Sequence, residues 1–241
     1  MGEIVLEASR NPRSGVITLT VDPGTGAQLE YRRFRAILGG LSWPSGSSPG
    51  YYAILGEPAT GEGKTRFEGI EVPRGKLHVL IERVVDSALL IKLSEKLGDD
   101  CARFGCTSVY CELVIGEDGR YDQRAHLMRQ LLGDASQVSI MRAPFTEDAK
   151  STRGEVLQLN LSVVEHWIRE DRVELPENSL ARAQIKAVTR QDLADEQAEP
   201  RLFAARALGF AVSAFDRLGA VQGVFVPKRT HRMPKGTARP R

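Results

Sequence analysis

Lys76 to Ile115 reads KLHVLIERVVDSALLIKLSEKLGDDCARFGCTSVYCELVI, and its change of period decides the fold class. Lys76 to Val85 is aliphatic and β-branched, is opened by turn residues, and reads as a strand. From Asp86 the period turns helical, with Leu89, Leu90, Leu93 and Leu97 at i, i+1, i+4 and i+8. Asp86 is placed to cap that helix through its side-chain oxygen, and Gly98 to end it. Thr107 to Ile115 (TSVYCELVI) returns to strand character. A crossover through a helix implies parallel strands and a sheet of mixed α/β type.

Upstream, Tyr51 to Glu57 (YYAILGE) is a short apolar run bounded by Gly and Pro, as in a buried strand. Thr65 to Pro73 (TRFEGIEVP) reads as the next strand before Lys76. Glu3 to Ala8 and Gly15 to Asp22 alternate apolar and polar, and Pro23-Gly24-Thr25-Gly26 is a turn. These predict an N-terminal β-hairpin or small meander. Gly39 to Gly50 (GGLSWPSGSSPG) favours loop over any packed element and marks a boundary. Downstream, Gln123 to Leu132 is helical and Gln137 to Met141 β-like. Glu155 to Arg169 is a helix with Leu157, Leu161, Val164 and Ile168 on one stripe. Val173 to Pro176 follows, then helical segments at Leu180 to Thr189 and Leu202 to Leu218. The expected organisation is residues 1–49 as hairpin and linker, 50–226 as an α/β domain of about five strands flanked by helices, and 227–241 as a basic, disordered tail.

The chain has 241 residues, 41% hydrophobic and 27% charged, values that exclude wholesale disorder. No apolar run approaches the roughly 18 residues of a membrane span, so no membrane partner is expected. The N-terminus lacks the charged-then-apolar layout of a secretory signal, and three cysteines cannot all pair within the chain. Both features predict a reducing, cytoplasmic setting. The formal charge of +2 is uneven: the tail holds six Lys and Arg and no acid, leaving 27 cations against 31 acids, a formal −4, over residues 1–226.

Glu57 closes one expected strand and Glu112 lies in the strand after the long helix. If the two strands are adjacent and parallel, these carboxylates converge at one sheet edge, where hard cations such as Mg²⁺ or Mn²⁺ take oxygen ligands. The alternative is that each Glu is a solvated strand-end charge. Pro58 to Thr65 (PATGEGKT) nearly spells a phosphate-binding loop, but it leads into β-like sequence rather than a helix, so a hairpin turn accounts for it better. Cys101, Cys106 and Cys111 are too widely spaced for a zinc knuckle and read as small buried hydrophobes. Trp167 reads as a core anchor. Lys228, Arg229, Arg232 and Lys235 lead the tail cations, which suit DNA phosphates as well as solvent.

The order of these elements from Tyr51 to Leu218 resembles the nuclease domain of the large subunit of tailed-phage terminases, which has a ribonuclease-H-like fold. The resemblance runs through YYAILGE with Glu57, KLHVLIERVVDSALLIKLSEKLGDD, SVYCE with Glu112, LNLSVVEHWIREDRVELPEN, and Ala207-Leu208-Gly209-Phe210-Ala211. It implies a metal-dependent DNA endonuclease, with Mg²⁺ or Mn²⁺ held by Glu57, Glu112 and a third acid. It also implies double-stranded DNA and a separate packaging ATPase as partners, in the cytoplasm of a bacterial host.

The chain departs from that pattern. Glu stands at 57 and 112 where the family uses Asp, and the closing helix presents Phe203 and Arg206 where the family presents Asp. An Arg there would repel a divalent cation and pair with Glu57 or Glu112. Asp192, Asp195, Glu196 and Glu199 precede the helix, and Asp195 is the expected substitute. The family's ATPase motor is also not expected in residues 1–50. Two expectations follow: a degenerate nuclease retained for DNA binding or for docking a packaging partner, and an active two-metal endonuclease. What Arg206 touches separates them.

Overall fold

The computed structural model describes residues 4–24, 27–44, 49–59, 63–67, 70–74, 76–85, 89–112, 123–133, 137–144, 153–189, 192 and 202–222. Among them the chain forms β1 (Ile4–Arg10), β2 (Ile17–Asp22), β3 (Glu30–Ser42), β4 (Gly50–Pro58), β5 (Gly63–Phe67), β6 (Ile70–Arg74) and β7 (Leu77–Val85). There follow α1 (Leu90–Phe104), β8 (Ser108–Cys111), α2 (Gln123–Leu132), β9 (Ser139–Arg142), α3 (Arg153–Arg169), β10 (Val173–Glu174), α4 (Leu180–Ala187) and α5 (Phe203–Gln222). No helix among the described residues is long and apolar enough to cross a membrane.

Eight of these strands make one mixed sheet, and β3 organises it. One edge of β3 takes β4 antiparallel, from Phe34↔Pro58 to Ser42↔Tyr51. The other edge is shared. Its first half pairs antiparallel with β2, and its second half parallel with β8 through Gly39↔Val109, Gly40↔Tyr110 and Leu41↔Cys111. β9 continues parallel to β8, while β7 and then β10 extend the sheet beyond β4.

The crossover between strands expected from Lys76 to Ile115 is present, as β7, α1 and β8. Its helix runs past Gly98, because Leu97, Cys101 and Phe104 keep its stripe on the core. It ends at Gly105, whose φ of 65° is the left-handed conformation that a helix C-cap favours. Asp86, the expected cap, lies outside the described residues. The loop expected from Gly39 begins later than read, since Gly39 to Ser42 are strand. Residues 1–49 therefore supply a meander whose third strand is central to the sheet. The strand expected at Thr65 to Pro73 is instead part of a separate hairpin, β5–β6, in which Thr65 pairs with Val72. A strand at Thr65 removes the phosphate-loop alternative, which needs a helix there.

Alternation along β3 divides the core. Ile37, Leu41 and Trp43 pack with Leu93, Leu97 and Phe104 of α1 and Met128 of α2 on one face. Leu38 packs with Leu208, Ala211 and Phe215 of α5 and Trp167 of α3 on the other. Tyr52 and Arg83 fasten α1 to the sheet through the buried carboxylate of Asp100. The Tyr52 hydroxyl donates to Oδ2 at 2.7 Å, and the Arg83 guanidinium donates to both oxygens. The three cysteines are buried and free, as expected of small hydrophobes. Trp167 is fully buried, donates Nε1–H to Asp216 Oδ1 at 3.2 Å, and lies 3.8 Å beneath the Arg172 guanidinium.

α5 is apolar nearly all round because it lies between the sheet and α3, where Ser213 donates to Asn160 Oδ1 at 2.8 Å. Its small residues let its backbone rest on β3. A Cβ added at Gly40 would stand 1.8 Å from the Ala207 carbonyl oxygen.

Gly40→Ala must therefore push α5 off the sheet, and urea unfolding is expected to show a loss of about 3 kcal/mol, the upper end for overpacking. Alkali offers a second measurement. Burial above all, then the Asp100 hydrogen bond, pushes the Tyr52 hydroxyl far above its ordinary range, and burial with the charge of Glu82 does the same to Tyr51. A raised folded-state value favours the neutral phenol, so this stability is intact below about pH 10 and falls as unfolded-state tyrosines ionise above it. Tyr52→Phe is expected to flatten that alkaline decline in a pH series of melting curves.

Candidate functional site at the carboxyl ends of the parallel strands

β3, β8 and β9 run parallel, so their carboxyl ends share one end of the sheet. Open α/β sheets bind ligands at that end. By register Ser42 stands opposite Glu112, which follows Cys111 directly. Trp43 donates its indole N–H to the Glu112 carbonyl oxygen at 2.9 Å and holds the strand end in place.

Glu112 is joined there by Arg206 of α5, whose Nη2 donates to Oε2. Side-chain exposures of 15% and 16% place the pair mostly out of water. Phe203, Arg206 and Phe210 lie on one stripe of α5. Phe203 meets the Tyr51 ring edge to face at 6.0 Å, and the Arg206 guanidinium lies 6.0 Å from the Phe210 ring. The two residues that stand where the resemblance implies Asp thus face the sheet. One extends its apolar packing and the other places a cation on its carboxylate.

Glu57 does not join this group. β4 and β8 lie on opposite edges of β3 and run antiparallel to each other, so the premise of adjacent parallel strands does not hold. Glu57 pairs with Ala36, six positions along β3 from Ser42, about 20 Å at the usual strand rise. It is buried, and Arg35 Nη2 donates to its Oε1 at 2.9 Å. Asp192 accepts from the Thr189 amide and hydroxyl at 2.9 and 2.7 Å, a local turn bond. Asp195, Glu196 and Glu199 lie outside the described residues, as do Lys228, Arg229, Arg232 and Lys235 of the tail.

A two-metal centre needs several carboxylates at close range. Glu112 faces a guanidinium, Ala207 leaves no room for a side chain at Gly40, and Ser42 offers only a hydroxyl. No group of three His, Cys, Asp or Glu side chains converges among the described residues. The described residues at this site do not fit such a centre.

Sequence reasoning missed Gly40 and Ser42 as the β3 positions of the site. The alternation Ile37, Leu41, Trp43 carried the signal, and the Gly-Gly pair beside a Ser/Gly/Pro stretch hid it. It also missed Arg35 as the partner of Glu57.

In structure the chain is similar to the large terminase nuclease from thermophilic phage G20c, with 12% identity, 87% of this chain and 92% of that chain covered, and a TM-score of 0.47. It is also similar to the Fowlpox virus resolvase, solved with Holliday junction DNA, with 11% identity, 76% and 98% covered, and a TM-score of 0.41. No family model matches the chain, and no curated protein matches it. Likenesses of this degree leave the roles of individual residues to the chain's own geometry.

Removing one member of a mostly buried ion pair leaves the other uncompensated. Arg206→Met is expected to cost about 3 kcal/mol in urea unfolding. Glu112→Gln in the same chain should restore most of it, and additive losses across the double-mutant cycle would contradict the pairing.

Proposed function

We propose that this chain is a degenerate ribonuclease-H-like nuclease that holds double-stranded DNA without cutting it, as a subunit in phage genome packaging. The observation that carries the reading is the Arg206–Glu112 pair at the carboxyl ends of β3 and β8. A carboxylate positioned for a cation there already has one, fixed to α5. The strand sequence β7-β4-β3-β8-β9 supports the fold assignment, with three antiparallel strands followed by two parallel ones. The packaging role extends the resemblance in motif order. A separate packaging ATPase is then the natural partner and the host-cell cytoplasm the setting.

Affinity for DNA comes, in this proposal, from charge rather than metal. The tail carries six cations and no acid, while the body is formally −4. Each phosphate neutralised by Lys or Arg releases counterions, so binding weakens as salt rises.

Fluorescence anisotropy with a labelled duplex in EDTA is expected to show binding that falls with salt. Each neutralised phosphate adds about 0.9 to the log–log salt slope, so deleting 227–241 should lower that slope by up to about 5. The same preparation should leave supercoiled plasmid intact in Mg²⁺ and in Mn²⁺. Nicking that depends on divalent metal and disappears in Glu112→Gln would overturn the reading in favour of an active endonuclease.

A further inference from the structure

The last turn of α1 closes as a Schellman motif, and the two side chains that such an ending brings together are both cysteines. Gly105 is the left-handed residue. The Cys106 amide donates back to the Cys101 carbonyl oxygen at 2.9 Å, and the Gly105 amide to that of Ala102 at 3.3 Å. These two bonds define the motif and set the residue after the glycine against the one five positions before it. That contact is usually between inert apolar groups. Here it is between two thiols.

The pair also faces a cavity of about 380 Å³, which lies between the end of α1, the end of β1 and the segment before β9. Cys101 and Cys106 both line it, with Ala8, Ile17, Thr107 and Gln137, and no Asp or Glu among the described residues does. Away from this cavity the two are packed in the core, at 1% and 2% exposure. Cys111 does not line it, and its thiol reaches the Met141 carbonyl oxygen instead, at 3.6 Å. The site stands at the opposite end of β8 from Glu112, so it is independent of the nuclease reading.

We propose that Cys101 and Cys106 form a reversible redox modification site, a dithiol that a small peroxide converts to a disulfide. Peroxide is small enough to enter through the cavity. The hydrogen bond to Cys106, then burial, push the Cys101 thiol far above its ordinary range, and the charge of Asp100 adds to this. Cys106 is therefore the sulfur that gives up its proton and attacks. Its thiolate bonds to one peroxide oxygen as the O–O bond breaks, leaving a sulfenic acid and a hydroxide that takes up the released proton. The Cys101 sulfur then attacks the Cys106 sulfur. An S–S bond forms, the S–O bond breaks, and the hydroxyl leaves as water with the Cys101 proton. Two thiols lose two electrons and two protons, and one peroxide becomes two waters. The product suits its place, because a helix C-terminus disfavours a lasting anion and a disulfide has no charge. In a reducing setting both residues stay thiols, and exposure to oxidant closes the pair.

Hydrogen peroxide applied to the full folded chain, then quenched with N-ethylmaleimide, tests this. Two of the three titratable thiols should be lost, the intact chain should be lighter by two hydrogens, and dithiothreitol should restore both thiols. Trypsin cuts after Arg103, so peptides 97–103 and 104–120 should travel as one species until reduced. Cys111→Ser should keep that linkage, and Cys106→Ser should lose it. Three titratable thiols remaining in the wild type, a linkage through Cys111, or sulfinic acids without a linkage would each overturn the proposal. A linkage that forms only in urea would overturn it too, by showing that the folded pair does not react.

Discussion

The contact on which this structure depends is the seating of the α5 backbone directly on Gly40. A helix approaches a strand that closely only where neither side carries a side chain at the crossing, and here a glycine meets the carbonyl of Ala207. The approach fixes the depth of α5 against the sheet and, at the adjoining residue, the reach of Arg206. The guanidinium lands on Glu112 because the helix is that close, and a longer side chain at position 40 would lift both. The same contact takes from the central strand its ability to offer a ligand at that level.

The pairing of buried or half-buried carboxylates with arginines recurs across the sheet. Glu57 meets Arg35, Asp100 meets Arg83, and Glu112 meets Arg206, each at a different end or face. Guanidinium suits this use because it stays charged when partly desolvated, and at Asp100 its planar fork reaches both carboxylate oxygens. Each of these acids has an arginine as its counter-ion. They account for part of the acidity of the body without gathering it in one place, which is why a sequence rich in strand-borne Glu contains no cluster of three acids among the described residues.

The crossover from β7 through α1 to β8 was legible because its periods are clear and its helix amphipathic. The helix end was not, since a single Gly98 resembles a terminator and only the continuation of the stripe through Cys101 and Phe104 overrides it. β3 was the costly omission. Gly39-Gly40 looks like loop in sequence and is strand, with Gly40 against the backbone of α5 and Gly39 against Val109 of β8. The expected sheet of about five strands omits β1, β2 and β3 of an eight-stranded one, so the strand of Glu57 reads as the first when it is β4. Arg206 and Phe203, by contrast, stand out through the resemblance, which implies Asp at their positions, and α5 presents both to the sheet.

β3 also has a history during synthesis. β4 follows it closely, but the edge that receives β8 waits for Cys111 to emerge, about 70 residues after Leu41. At ribosomal rates that is roughly 4–14 s during which an apolar central strand has an open margin. Open margins of regular apolar strands recruit other chains, and glycine weakens that recruitment by lowering β propensity where hydrogen bonds would form. Gly40, on which α5 settles in the finished protein, and Gly39 therefore lower the β propensity of the open margin at the very residues where β8 later docks.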